Sequence, residues 1–404
     1  MKYAVENSSS IFIDATASRS GGGIYLIELI PRIADLLPNY KIKLFCINSD
    51  ELSGISRINN RIEICSISMR KLGGGGNLSN SFMKLMWRQL ILPIYILYHR
   101  PHLVFSNSGF GPLLRISKTQ FIFAIHDSVP YQDWLFIGNL PLFYRVRAII
   151  TRILFMLSLR DKDGIIVFSK DLSDKISKYI RRSVTIRVIH HGIDADPTVQ
   201  ADANGKSPHL ILNLKNKYFV YVSHFYSYKN IIRLIEAFRF LAAENDDLYL
   251  VLVGNPYDKN YSKVIQNMVC SDRDLSSRVK IVSGASRKEV LSILKGSCAV
   301  VYPSLVENCP LAILESLSLG KPMVVSRIPS LVEILQDAVI YFDPTDTMDI
   351  RKNMRWLMED SELRDELSQK AISRAKAFSW DDSSCETARY INELIHERNQ
   401  EIKQ

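Results

Sequence analysis

The sequence has no long apolar run, no paired cysteines and no metal-ligand spacing, and each absence closes off a class of function. Its longest apolar stretches, residues 90–98 and 153–159, are bounded by arginines at 88, 100, 152 and 160 and are too short to span a bilayer. Polar residues 6–10 precede the first apolar run, which is the size of a strand instead of a signal segment, so no export is expected. Six cysteines, Cys46, Cys65, Cys270, Cys298, Cys309 and Cys385, are scattered without paired spacing, which predicts reduced thiols in a cytoplasm. His190 and His191 are adjacent, yet no cysteine or carboxylate spacing completes a metal site around them. The G-x-G-x-x-G spacing of a dinucleotide fingerprint is missing, as is any repeat array. A helix-turn-helix, a zinc ligand set and an RNA-binding signature are missing too, so the basic pI of about 9.1 does not imply nucleic acid.

What is present is a globular composition, 47% hydrophobic and 23% charged over 404 residues, long enough for two domains with a core each. The charge is asymmetric: residues 1–200 hold 25 Lys and Arg against 15 Asp and Glu, the remainder 26 against 27. Within residues 64–160 the ratio is 11 to 2, interleaved with Phe82, Met83, Leu85, Met86, Trp87, Leu142, Phe143, Tyr144, Phe155 and Met156. Two readings stay open for this segment: core helices with solvated basic faces, or a surface that docks on an anionic membrane leaflet.

Strand and helix patterns alternate throughout. Ile11 to Asp14, then Gly21-Gly22-Gly23 and an apolar helical pattern to Leu37, read as strand, glycine loop and helix, a loop that lets a ligand approach the backbone. Residues 41–47, 62–67, 102–107, 121–127, 164–170 and 184–189 read as further strands. His126-Asp127 falls at a strand's carboxyl end, where parallel sheets bind ligands. Ser169 reads as a helix cap, and Ser286 with Glu289 as a capping box. A flexible loop is expected at residues 73–77 and a polar linker at 194–208. The second half opens on a strand from Tyr218, continues through His224 and Lys229-Asn230 into a helix from Ile231, and centres on residues 300–320. That stretch reads as strand, loop and helix, with Pro310 in the first turn and Gly320 as the stop. Glu307 and Glu315 bracket its turn. Outward N–H groups of Asn308, Cys309 and Leu311 would suit an anion at the positive helix end.

With its flanks, this stretch resembles the donor-site signature of retaining glycosyltransferases of GT-B fold, glycosyl transferases group 1: E-x7-E after a Pro-Ser strand end, here Glu307 and Glu315. Leu319-Gly320-Lys321-Pro322-Met323-Val324-Val325 and Pro329-Ser330-Leu331-Val332-Glu333 extend the match. The chain departs from the family at Asn308-Cys309-Pro310, where a Gly-Phe-Gly type loop is usual, at His191, where Asn is common, and at His224, where an arginine or threonine is common. The resemblance implies two Rossmann-like domains with parallel sheets facing a central cleft: residues 1–193 on the acceptor side, 209–377 binding the nucleotide sugar, and a helix over 378–404 returning to the first domain.

It also implies roles. Glu315 would hold the ribose, Glu307 orient the donor sugar, Lys229 bind the diphosphate and His126 contact the transferred sugar, while Gly22, Gly23, His224, Gly284, Asn308, Cys309, Pro310 and Leu311 would line the donor. Ser283-Gly284-Ala285 would read the base. No metal and no cofactor is expected beyond the nucleotide diphosphate sugar, because Asp161-Lys162-Asp163 sits at the amino end of its strand. The implied activity is retaining transfer of a sugar to a glycan or lipid-linked oligosaccharide in bacterial surface polysaccharide synthesis (O-antigen or capsule), in the cytoplasm or peripheral on the inner face of its membrane. Two other readings stay open: another GT-B enzyme, such as a nucleotide-sugar epimerase or a phosphorylase, and an inactive partner subunit.

Overall fold

The computed structural model describes residues 9–16, 21–47, 55, 59–67, 84–115, 117, 119–193 and 217–403. The expected loop at 73–77, the linker at 194–208, and Phe82 and Met83 lie outside them. The chain divides into two compact units, Met1–His191 with Trp380–Gln404, and Gly192–Ser379.

In the first unit, β1 (Ser10–Asp14), β2 (Lys41–Cys46), β3 (Ile62–Ser66), β4 (Leu103–Ser106), β5 (Gln120–Ile125), β6 (Gly164–Val167) and β7 (Thr185–Val188) form one parallel sheet in the order β3-β2-β1-β4-β5-β6-β7. The central strands β1, β4, β5 and β6 are buried along their whole length, which is why they read as continuous apolar runs instead of alternating ones. Strand order reverses between β1 and β4, so the loops after these two strands open the crevice typical of such sheets.

The helix Trp380–Lys403 belongs to this unit and packs against the helix Gly21–Leu36. Its Tyr390 hydroxyl accepts from the Ile165 N–H at 3.2 Å and donates to the Thr185 carbonyl at 2.9 Å. A Cβ at Gly164 would come within 2.6 Å of that hydroxyl, so only glycine admits the contact.

One expectation for this unit is corrected. Gly21, Gly22 and Gly23 do not form a loop: they are the first turn of the helix Gly21–Leu36. Glycine disfavours helix by about 1 kcal/mol each, but the buried face of Tyr25, Leu26, Leu29, Ile30 and Ile33 outweighs that. The basic, apolar segment, for which the sequence allows two readings, is divided between core and surface. Trp87, Arg88, Arg152 and Phe155 are buried. Arg88 Nε donates to Asp14 Oδ2 at 2.9 Å, and Arg152 donates to the Pro130 and Gln132 carbonyls. A second buried pair joins Arg115 to Asp163 at 2.6 Å, and the guanidinium lies 4.0 Å from the Phe121 ring centroid. The segment's exposed apolar residues are spread over several elements, among them Leu90, Ile94 and Tyr98, Trp134 and Leu135, and a stripe on the helix Leu142–Ser158 formed by Leu142, Val146, Ile150, Ile153 and Leu157 with Phe143 beside it. Among the described residues no helix is long and apolar enough to cross a membrane.

In the second unit, β8 (Tyr218–Val222), β9 (Tyr249–Val253), β10 (Val279–Val282), β11 (Ala299–Tyr302), β12 (Met323–Ser326) and β13 (Ile340–Phe342) form a parallel sheet in the order β10-β9-β8-β11-β12-β13. The order reverses between β8 and β11. Helices follow the strands in turn, and the helix Leu311–Ser318 ends before Gly320, whose φ of 61° supplies the left-handed stop that the sequence predicts. The capping box of Ser286 and Glu289 opens the helix Arg287–Gly296. Two Rossmann-like units of this kind make up the GT-B fold.

Candidate functional site

The crevice of the second sheet is built by the loops after β8 and β11. After β8 the chain runs through His224 and a single 3-10 turn, Ser227–Lys229, into Asn230, which adopts φ 60° and caps the helix Ile231–Glu244. The Asn230 amide donates to the carbonyls of Pro303 at 3.1 Å and Pro344 at 2.7 Å, tying the β8 loop to the β11 loop. The Leu305 N–H adds a bond to the Tyr228 carbonyl at 2.9 Å. Asparagine suits this place for two reasons: it tolerates the left-handed conformation, and its amide satisfies two buried carbonyls.

These ties set Lys229 Nζ 2.6 Å from Glu307 Oε1, with both side chains largely buried. Tyr302, at the end of β11, is raised well above 10 by burial first and then by the Glu307 charge, and Tyr221 responds in the same way. Both phenols therefore stay protonated beside the carboxylate. Ser330 Oγ donates to the Glu307 carbonyl at 3.1 Å, fixing the loop from the other side.

Asn308 and Cys309 are buried, and Pro310 caps the helix in extended conformation, so Leu311 is its first residue. Glu315 is the fifth residue of that helix, 7% exposed. Its Oε1 accepts from Arg287 Nε at 3.1 Å. Gly284 adopts φ 73°, and its N–H donates to Asn255 Oδ1 at 2.9 Å. His224 Nδ1 accepts from the Asn255 N–H at 3.2 Å, so this histidine braces the β9 loop; burial and then Lys229 lower its pKa. Lys229 with Glu307, and Asn255 with His224 and Gly284, are thus brought together.

In the first unit, His126 follows β5 and sits beside the β4 loop. Asn107 Nδ2 donates to the Gly22 carbonyl at 3.2 Å, which leaves its Oδ1 to accept from His126 Nε2 at 2.6 Å. The ring is therefore the Nε2–H tautomer, and Nδ1 is its acceptor. Burial and then His191 push its pKa well below 6.5, so it is neutral at physiological pH. It stacks on Phe168 at 4.5 Å. Gly22 enters this arrangement through its carbonyl at the helix start, and Gly23 is the next residue of the same turn.

Three residues of these arrangements carry no role in the sequence reading: Arg287, Asn107 and Asn255. Arg287 had a signal, a cation in the first turn of a helix, where the dipole disfavours it. Asn107 and Asn255 follow strand ends, positions that favour ligand contacts. Among the described residues no cluster of three or more His, Cys, Asp and Glu could hold a metal ion.

Comparison with known proteins bears on the family and the fold. Residues 206–374 match the family model of glycosyl transferases group 1. The chain is 25% identical over 395 residues to O-antigen chain mannosyltransferase B of Escherichia coli, covering 91% of this chain and 94% of that one. It is 33% identical over 147 residues to the UDP-Gal:alpha-D-GlcNAc-diphosphoundecaprenol alpha-1,3-galactosyltransferase of Escherichia coli, covering 35% of this chain and 37% of that one. Among solved structures, sucrose-phosphate synthase from Thermosynechococcus elongatus superimposes with a TM-score of 0.75 at 17% identity, over 96% of this chain and 100% of that one.

Proposed function

With glycosyl transferases group 1 matching most of the second unit, we propose that this chain is a retaining glycosyltransferase that moves a hexose from a nucleotide diphosphate sugar to a glycan or lipid-linked acceptor in bacterial O-antigen or related polysaccharide synthesis. The observation that carries this reading is the Lys229–Glu307 pair at the strand-order reversal of the second sheet. In an open parallel sheet that is where a ligand binds, and a buried cation paired there is poised to meet a diphosphate.

In the proposed reaction, Lys229 and N–H groups at the start of the helix Leu311–Ser318 stabilise the charge that develops on the departing diphosphate. Glu315 holds the ribose and Glu307 orients the sugar. The bond from the anomeric carbon to the phosphate oxygen breaks as the acceptor oxygen attacks from the same face. The acceptor's proton passes to the leaving diphosphate. For His126 of the first unit we propose the role of a neutral hydrogen-bond partner of the transferred sugar. The chain supplies the charge stabilisation that a metal provides elsewhere, so turnover is proposed to need none.

The exposed apolar stripe of the helix Leu142–Ser158 has no acidic residue along it and carries Arg145 and Arg147. This supports peripheral docking on an anionic membrane surface, where a lipid-linked acceptor resides.

The test is release of nucleoside diphosphate from a panel of UDP-, GDP-, ADP- and dTDP-sugars with lipid-linked acceptor, followed by NMR assignment of the product anomer. Product with the donor's anomeric configuration is expected. Inverted product removes the retaining assignment, donor conversion without acceptor would favour an epimerase, and donor binding without turnover would favour an inactive partner subunit.

A further inference from the structure

The Glu315 carboxylate is buried in the helix Leu311–Ser318 and meets a guanidinium that comes from elsewhere in the unit. Arg287 is the first residue of the helix Arg287–Gly296, which follows β10, while the Glu315 helix follows β11, and β8 and β9 lie between those strands in the sheet. Arg287 therefore reaches across the carboxyl edge of the sheet to place Nε 3.1 Å from Glu315 Oε1, with its side chain 28% exposed. The position is costly for a cation. The first helical turn carries the positive end of the dipole, and Lys288 stands beside it in the sequence. Glu289, the third residue of that turn, is committed to the capping box with Ser286. The contact with the Glu315 carboxylate offsets that cost.

Resting on the assignment of Glu315 to the ribose under Proposed function, we propose that Arg287 is a positioning residue that fixes the Glu315 carboxylate, charged and correctly turned, to accept the ribose hydroxyls of the donor nucleotide. Three properties of the pair support this role. The guanidinium sets an opposite charge beside a carboxylate that is 7% exposed, where an unpaired charge is costly. The contact through Nε fixes one oxygen, which selects a single orientation for the carboxylate plane. An ionised carboxylate accepts at about four positions, and the Arg287 Nε contact takes one of them. Arg287 thereby acts on donor selection through Glu315, favouring ribonucleotides over their 2′-deoxy counterparts, and contributes to the ground state and the transition state alike. Loss of Arg287 raises KM for the donor with little change in kcat.

The test compares UDP with 2′-deoxy-UDP, and GDP with 2′-deoxy-GDP, by isothermal titration into the full chain and its Arg287→Ala, Arg287→Lys and Glu315→Gln variants. For the nucleotide that binds, removing the 2′-hydroxyl is expected to weaken wild type about tenfold. Glu315→Gln and Arg287→Ala are each expected to shrink that penalty to about twofold or less, and Arg287→Lys to restore part of it. If Glu315→Gln removes the penalty while Arg287→Ala keeps it in full, Arg287 does not position Glu315 and the proposal is overturned, with the ribose assignment intact. If Glu315→Gln also keeps it in full, or no ribonucleotide binds, the ribose assignment fails and takes the proposal with it. Should Arg287→Ala fold poorly by thermal melting, Arg287→Lys decides: a penalty and KM identical to wild type would argue against a role for the guanidinium fork.

Discussion

Lys229 and Glu307 stand 2.6 Å apart on the two loops that meet where the strand order of the second sheet reverses. The pair is neutral as a unit, and a diphosphate entering the crevice competes with Glu307 for the ammonium. Lys229→Ala is expected to lower kcat/KM at least tenfold, about 1.4 kcal/mol or more of transition-state stabilisation. Glu307→Gln is expected to lower kcat while nucleoside diphosphate binding is retained, because the ammonium loses its competitor. Steady-state kinetics alongside titration of free nucleotide checks both. Unchanged kinetics in both variants would remove the pair from the reaction.

Turnover without a divalent ion follows from the same charge arrangement. Full activity in excess EDTA is expected. A collapse on chelation that magnesium or manganese reverses would contradict the proposed mechanism.

Stability should fall in acid through the buried histidines. Burial, then His191, lowers the His126 pKa well below 6.5, and burial, then Lys229, lowers that of His224. Each ring therefore binds its proton first in the unfolded chain. The stability it contributes is complete above the unfolded value near 6.5 and is lost as pH falls from there toward the folded value. The slope is at most about 1.4 kcal/mol per pH unit for each residue. Thermal melting from pH 8 to pH 5 is expected to be flat at first and then to decline below about pH 6.5, and His126→Asn to blunt the decline. An identical decline in the variant would show that His126 does not titrate this way.

Membrane docking through the helix Leu142–Ser158 has a direct readout. Phe143 and Leu157 are 72% and 60% exposed. The protein is expected to sediment with phosphatidylglycerol-containing vesicles at low salt, and the double variant Phe143→Glu, Leu157→Glu to stay in the supernatant. Wild type left in the supernatant, or a variant that sediments equally well, would exclude this face.

Much of the fold was legible because parallel strands buried on both faces leave continuous apolar runs, and because caps such as Ser169, the Ser286–Glu289 box and Gly320 mark helix ends. Gly21–Gly23 misled because glycine preference is local, whereas the apolar face from Tyr25 onward extends the helix back over it. Arg88 and Arg152 read as surface charge because their partners, Asp14 and the carbonyls of Pro130 and Gln132, are brought to them only by folding. The same holds in the site. Glu307 and Glu315 belong to one local spacing and Lys229 to a short motif of its own, but the contacts Lys229 to Glu307, Arg287 to Glu315 and Asn107 to His126 join residues 78, 28 and 19 positions apart.

The central claim is that the second unit binds a nucleoside diphosphate at Lys229. Isothermal titration of UDP, GDP, ADP and dTDP into the full chain and into Lys229→Ala tests it most directly. One of the four is expected to bind wild type and to bind the variant at least tenfold more weakly, a loss of about 1.4 kcal/mol. No binding by any of them, or equal affinity in the two proteins, would contradict the account.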